Sequence, residues 1–227
     1  MRKVVSAVTM ALAVVLAACG QMRQPLPDQA KAIVDSSVDT VERFKVDPNL
    51  KDFYAHVANA RGVVVLPHVY KAGFIGGVEG GSGVLIARTA GGPWSAPAFY
   101  TLAAGSVGFQ AGVQDVEMIL VLRSDKAVQA VIKHQGKFGA DTGITVGVFG
   151  AGVEASTTTN VGPDVLAFAR SRLGLFAGVS LEGAALVRRT DLNEAAYGAG
   201  ATPQGIVLEA RYAYPAADPL RTALGGS

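Results

Sequence analysis

The chain has 227 residues, of which 50% are hydrophobic and 17% are charged, and Cys19 is its only cysteine. A single cysteine excludes an intramolecular disulfide and a cysteine-based metal cluster. Arg2 and Lys3 account for the whole excess of 20 basic over 18 acidic residues, so the chain after residue 18 is neutral and lacks the cationic excess typical of nucleic-acid-binding proteins.

The N-terminus has the organisation of a bacterial export signal. Two basic residues are followed by the apolar run 4–18, which is too short for a membrane span of about 20 residues. The segment Leu16-Ala17-Ala18-Cys19 resembles the lipobox of bacterial lipoproteins, in which the cysteine accepts diacylglycerol. We therefore predict a signal peptide at 1–18 and a lipid anchor on Cys19, with a small buried residue in a spanning helix as the alternative.

This interpretation predicts a location in the cell envelope. Gly20 follows the cysteine, and no aspartate stands at that position. In enteric-type sorting this favours the outer membrane, with the protein facing the periplasm or the cell surface. Residues 19–27 contain two prolines and little to bury, which is typical of a short tether.

Two amphipathic helices are predicted after the tether. Asp28 is expected to cap the first helix, which ends near Val46, and Asp47-Pro48 to begin the second, which ends near Arg61. Apolar residues at three- and four-residue steps form one stripe on the first helix: Ala30, Ile33, Val34, Val38, Val41 and Phe44. The opposite face is predicted to carry Asp35, Ser36, Asp39, Thr40 and Arg43.

The pattern changes to that of strands at Gly62. A β-branched run, Val63–Leu66, is predicted to be a buried strand closed by Pro67, and the glycine-rich segment 76–83 to form hairpin-like turns. Further strands are predicted at 84–86, 106–113, 118–122, 144–148 and 176–181, and 206–208 is expected to close the sheet. Two more helices are predicted at 125–137 and 191–197.

Glycine is unusually frequent, with 28 residues, and much of it lies inside these predicted strands. Strand glycines mark bulges, sharp coiling or close backbone contacts. We therefore predict an α+β fold in which a strongly curved antiparallel sheet, a half barrel or cup, is covered at one end by the N-terminal helices. Residues 28–227 are long enough for one domain.

No catalytic motif is recognisable in the sequence. The segment 76–83 lacks the Lys-Ser/Thr of a phosphate-binding loop, and no serine lies in a GxSxG motif. The histidines His56, His68 and His134 lack ligand spacing, although His68, beside Pro67, remains a candidate functional residue. We predict that the protein is not an enzyme and uses neither a metal nor a cofactor.

Three other features leave alternatives open. Asp115 and Glu117 share a face if they lie on a strand, as a metal-binding or acid–base pair would, but a solvated edge is the favoured interpretation. Trp94 is either a membrane-interface aromatic residue or a buried corner residue. Four arginines flank the segment 174–183 and form a second basic group: Arg170, Arg172, Arg188 and Arg189.

Several motifs follow one another in a recognisable order. They are 60–67 leading into 71–74 and 76–83, the WSAPAF segment 94–99, the run 105–114, the segment 170–183, and Asn193 with Tyr197-Gly198. Together they cover about residues 30–210 and resemble the SYLF family, also called the Ysc84 actin-binding domain. Bacterial members of that family are commonly secreted lipoproteins, which agrees with Cys19.

The resemblance implies binding of phospholipids, with a preference for anionic or phosphoinositide headgroups in eukaryotic members. Some fungal members also bind actin. In the eukaryotic proteins a lysine-rich N-terminal helix contacts the membrane, whereas the first helix here has mixed charge. We therefore favour docking of this helix on the sheet, with lipid contact as the alternative.

The resemblance also suggests candidate residues for headgroup binding. Lys71 is the first, since it matches the family and precedes the glycine-rich segment; a solvated loop lysine is the alternative. Arg61 and Lys51 are expected nearby, and Trp94 completes the set. The expected partners are the membrane, through the lipid anchor, and phospholipid headgroups, while a protein of the envelope or of a host is the alternative.

Overall fold

The computed structural model describes residues 24–50, 52–73, 76–90, 92–107, 112–133, 145–149, 163–172, 181 and 184–225. The helices are α1 (Leu26–Val46), α2 (Phe53–Ala58), α3 (Asp125–Lys133), α4 (Thr190–Tyr197) and α5 (Asp218–Ala223). The strands are β1 (Gly62–Gly73), β2 (Gly76–Ala87), β3 (Ala98–Val107), β4 (Gly112–Leu122), β5 (Val146–Phe149), β6 (Val165–Ser171) and β7 (Ala185–Arg188).

The strands form one curled sheet of seven strands in the order β5-β6-β4-β1-β2-β3-β7. Neighbouring strands are antiparallel except β5 and β6, which are parallel. The predicted α+β fold with a half-barrel sheet is therefore confirmed. Helix α1 packs along β1 and β2 and against α4 and α5.

The sheet packs against an apolar core on each of its faces. Successive residues of a strand point to opposite faces, so the two cores receive alternate side chains of β1. Val63 and Val65 of β1 belong to the core that contains the apolar stripe of α1. Val64 and Leu66 belong to the core on the other face, which contains the buried side of α3. The β-branched run thus forms a strand buried on both faces, and each such side chain contributes roughly 1.5–3 kcal/mol.

The predicted helix boundaries needed correction. Helix α1 begins at Leu26, so Asp28 lies within its first turn and does not cap it, and residues 26 and 27 are helical. Pro27 is tolerated in the first turn of α1, because a backbone N–H group at that position has no acceptor inside the helix. Asp47-Pro48 does not begin a helix, since the Asp47 carboxylate accepts a hydrogen bond from the Asn49 amide in a turn and α2 starts at Phe53.

Strand β1 continues through Pro67 instead of ending there. Its register shifts between Leu66 and Val69 against β4, and between Val65 and Tyr70 against β2. Pro67 has no N–H group to donate to a neighbouring strand. At a bulge the regular hydrogen bonding is interrupted, so that donor is not required. The glycine-rich segment 76–83, predicted to be turns, lies within β2.

The glycines of β2 permit a close approach to this bulge. A Cβ atom on Gly81 would lie 1.9 Å from the His68 carbonyl oxygen, and one on Gly83 would lie 2.0 Å from the Val65 carbonyl oxygen. No side chain fits at these distances. The glycines therefore serve the contact between β1 and β2 and do not mark a change of chain direction.

The remaining predictions have mixed outcomes. Residues 206–208 do not close the sheet but lie in a π-helical turn, Gln204–Leu208, where tertiary packing of Ile206 and Val207 overrides their strand propensity.

The run 106–113 belongs to the end of β3 and the start of β4, with 108–111 outside the described residues. Helix α4 confirms 191–197, and α3 confirms 125–133. Residues 134–137, Ile144 and 176–180 also lie outside the described residues.

Candidate functional site

A group of charged side chains lies between α1 and the adjacent strands β1, β4 and β6. We call it the Glu117 cluster; it comprises Arg43, Asp47, His68, Asp115, Glu117, Arg170 and Arg172. The sheet register brings these residues together, since Glu117 pairs with Arg170 and Asp115 with Tyr70. The sequence predicted that Asp115 and Glu117 share a face, and they do.

The centre of the cluster is Glu117, whose side chain is fully buried. Its Oε1 atom accepts hydrogen bonds from the Arg43 Nε atom at 2.9 Å and the Thr40 hydroxyl at 3.2 Å. Its Oε2 atom accepts one from the Arg170 Nη1 atom at 3.1 Å. A buried carboxylate is tolerated only when it is paired in this way. The predictions of a solvated edge for Glu117 and of an exposed position for Thr40 are therefore wrong.

Arg170 also fastens the end of α1. Its Nε atom lies 3.1 Å from the Asp47 Oδ2 atom, at the residue that follows the helix. Arg170 thus joins one carboxylate of the sheet to one at the helix terminus. The helix is held by polar contacts in its last two turns, in addition to its apolar stripe.

The outer part of the cluster is a chain of three side chains, Asp115, His68 and Arg172. The Asp115 Oδ2 atom lies 3.0 Å from the His68 Nδ1 atom, and the Arg172 Nη1 atom lies 3.1 Å from the His68 Nε2 atom. Because a guanidinium has no acceptor, Nε2 accepts from Arg172, so Nδ1 carries the proton and donates to Asp115. This assignment describes a neutral imidazole.

Charge is layered within the cluster. The side chains of Arg43, Arg170 and Arg172 are 35–38% exposed, whereas those of Glu117, Asp47 and Asp115 are 0–15% exposed. The carboxylates therefore lie beneath, and the guanidinium groups form the rim. Such a surface presents N–H donors to an anion in solution.

The structure does not bring Arg61 and Lys71, two of the suggested candidate residues, together. Arg61 precedes β1 and pairs with Asp125 at 2.9 Å, whereas Lys71 lies near the other end of β1, opposite Glu79. Ten residues of strand separate them, on the order of 30 Å. The predicted proximity of Arg61 to Lys71 is therefore wrong. Lys51 and Cys19 lie outside the described residues, as does the side chain of Lys71.

Trp94 is a buried corner residue, one of the two alternatives. Its side chain is almost fully covered, and its indole N–H donates to the Leu224 carbonyl oxygen at 3.3 Å. The Arg88 guanidinium lies over the ring, 4.4 Å from its centroid. In this position the indole does not face a membrane, so we remove Trp94 from the headgroup-binding set.

The four arginines do not form one basic group. Arg170 and Arg172 belong to the Glu117 cluster, next to β4. Arg188 lies on β7, at the opposite end of the strand order, and Arg189 pairs with Asp191 at 2.6 Å. Within the described residues, no group of three metal-ligating side chains occurs, and no helix has the length and apolar character to cross a membrane.

The sequence contains one signal for the cluster that the spacing of apolar residues does not reveal. Ser37 and Thr40 stand between Val34 and Phe44 at the same three- and four-residue steps as the apolar stripe, and both are buried. A small hydroxyl residue inside a buried stripe needs a polar partner, either in its own helix, as Ser37 has in the Ile33 carbonyl oxygen, or on the opposing surface. For Thr40 that partner is Glu117.

Comparison with known proteins places this fold in a family. A family model described as "Ysc84: Las17-binding protein actin regulator" matches residues 103–227. The human "SH3 domain-containing YSC84-like protein 1" is 34% identical over 183 residues, covering 78% of this chain and 53% of the relative. "Protein YSC84" of Saccharomyces cerevisiae is 35% identical over 164 residues, covering 71% of this chain and 35% of the relative.

The match is thus to one part of longer proteins. The chain spans about half the length of the vertebrate relatives and about a third of the yeast ones. The family model alone covers more than half of the chain, including β4, β6 and the helices after β7. The chain therefore belongs to the Ysc84 family, which is the SYLF family that its motifs resemble.

Proposed function

We propose that this protein is a lipid-anchored module of the cell envelope that binds phospholipid headgroups. The observation that carries the proposal is the lipobox-like segment, because Cys19 precedes the first residue of α1, Leu26, by seven residues. Seven extended residues span about 25 Å. A lipid on Cys19 would therefore hold the folded domain within that distance of the bilayer.

The buried position of α1 supports separate roles for the two parts: the lipid anchor attaches the protein to the membrane, and the domain contacts headgroups. Its apolar stripe packs on the sheet, so it offers little apolar surface to a membrane. Headgroup contact is then assigned to cationic residues of the domain, with Lys71 as the first candidate. Anchoring raises the effective concentration of headgroups, so a weak affinity is sufficient. The family description names binding and regulation, and we propose no enzymatic activity.

The anchor is tested by replacing Cys19 with serine in the full chain, expressed in a bacterial host. The wild-type chain is expected to incorporate labelled palmitate and to partition with membranes. Cys19→Ser is expected to lose the label and to shift to the aqueous fraction, because a hydroxyl does not substitute for the thiol in lipid transfer. Labelling that survives the substitution would contradict the anchor.

Headgroup binding is tested by vesicle sedimentation of the unlipidated domain. Lys71→Glu is expected to weaken binding to vesicles containing phosphatidylglycerol by roughly tenfold, since each cation near an anionic surface contributes about 1 kcal/mol and the substitution reverses a charge. Lys133→Glu is the matched control, because it makes the same charge change on α3, which follows β4 at the Arg61 end of β1. Absence of wild-type binding to both anionic and neutral vesicles would overturn the proposal.

A protein-binding role is the second candidate. The description of the matched family, which names Las17 binding and actin regulation, favours it. Co-sedimentation of the unlipidated domain with filamentous actin tests the role directly. Saturable actin binding without any vesicle binding would favour this candidate over the first.

A further inference from the structure

We propose that Arg172, His68 and Tyr70 form a binding site for a phosphate-ester oxyanion at the rim of the Glu117 cluster. The proposal rests on the proposed headgroup binding and assigns it a location apart from Lys71. The shared chemistry is a phosphodiester, whether it belongs to a lipid headgroup or to a soluble molecule.

Arg172 differs from the other two arginines of the cluster. Arg43 and Arg170 each have a carboxylate oxygen within hydrogen-bonding distance. Arg172 lies 3.8 Å from Asp115 and 3.7 Å from Glu117, and its hydrogen bond at 3.1 Å goes to the neutral His68 ring. Most of its five N–H donors therefore have no acceptor among the described residues.

The exposure and shape of this guanidinium suit an oxyanion. The Arg172 side chain is 36% exposed, so a ligand can reach it from solution. Its planar fork matches two phosphate oxygens. Of the two carboxylates near it, Asp115 is engaged by the N–H group of His68, and Glu117 is engaged by Arg43 and Arg170. Tyr70 stacks on His68 with ring centroids 5.9 Å apart and is 54% exposed, which provides an apolar wall for the ester group.

His68 connects the parts of the site. Its Nδ1–H group donates to Asp115 of β4, its Nε2 atom accepts from Arg172 after β6, and its ring stacks on Tyr70 of β1. The ring therefore holds the Arg172 guanidinium at the rim of the cluster.

The test is calorimetric titration of the folded domain with glycerophosphoglycerol, a soluble phosphodiester whose charge is constant between pH 5.5 and 7.5. Arg172→Gln is expected to weaken binding about tenfold, as is typical for loss of a charged hydrogen-bonding partner. Arg211→Gln is the matched control, since Arg211 is also ion-paired and is 67% exposed outside the cluster. Circular dichroism and thermal unfolding establish that each variant is folded.

A second variant tests the role of His68. His68→Ala is expected to weaken binding of the phosphodiester several-fold, because Arg172 then loses the hydrogen bond that orients its guanidinium and Tyr70 loses its stacking partner. Equal affinity of wild type and His68→Ala would remove His68 from the site.

Vesicles with and without phosphatidylglycerol separate this inference from the proposed function. Binding of the soluble phosphodiester without binding of vesicles supports the site and overturns the lipid-binding role. Vesicle binding that Arg172→Gln leaves unchanged, together with no binding of the soluble phosphodiester, overturns the site and keeps the lipid-binding role. Equal affinity of Arg172→Gln and Arg211→Gln for the phosphodiester also overturns it.

Discussion

Replacing Glu117 with alanine is expected to lower the free energy of unfolding by about 3–5 kcal/mol, the cost of breaking a buried ion pair. The substitution leaves Arg43 and Arg170 without their common acceptor and removes the partner of the buried Thr40 hydroxyl. Glu117→Gln keeps the size and loses the charge, so a smaller decrease is expected. Urea denaturation followed by circular dichroism measures both.

Glu42→Ala is the matched control for this prediction. Glu42 lies on the same helix as Arg43 and pairs with Lys45 at 3.0 Å, but its side chain is 54% exposed. Exposed pairs contribute about 0–1 kcal/mol, so the control is expected to change stability little. Similar losses for Glu42→Ala and Glu117→Ala would contradict the buried, paired position of Glu117.

Gly83→Ala is expected to destabilise the protein by about 3 kcal/mol or more, at the upper end of the range for overpacked sites. The added Cβ would lie 2.0 Å from the Val65 carbonyl oxygen and 2.9 Å from the Leu66 Cδ2 atom. The carbonyl belongs to β1, which pairs with neighbours on both sides, so it has little room to move. The sheet would have to open at the β1–β2 pair to accept the methyl group.

Gly105→Ala is the control for the effect of alanine in a strand of the same sheet. A Cβ at Gly105 would meet no atom within 4 Å. Its stability is expected to stay within about 0.5 kcal/mol of wild type, as is usual for surface substitutions. The midpoint of urea denaturation distinguishes the two variants. A tolerated Gly83→Ala would show that β1 and β2 lie farther apart than the structure places them.

Local patterns predicted much of the fold correctly. The stripe of α1 contains buried Val34, Val41 and Phe44, as its three- and four-residue spacing indicates. The run at the start of β1 forms a strand buried on both faces, as its β-branched composition indicates. These predictions succeeded because periodicity and propensity act over a few residues, within the reach of a sequence pattern.

The failures share a different physical origin. Glycines suit turns and close strand contacts equally well, so composition did not decide between them for residues 76–83. The decision came from the carbonyl oxygens of Val65 and His68, which only the pairing of β1 with β2 places beside Gly83 and Gly81. Strand propensity at 206–208 was similarly overridden by packing against the core.

The charged residues show the same limit at the candidate site. By itself the sequence determined the family, the α+β class, the neutral balance after residue 18 and the lipobox-like segment. Only the tertiary structure decided which charges are buried, because Arg43 and Glu117 meet across 74 residues and His68 and Asp115 across 47. The sequence shows which side chains are charged, but the solvation of each charge depends on the residues that the fold packs against it.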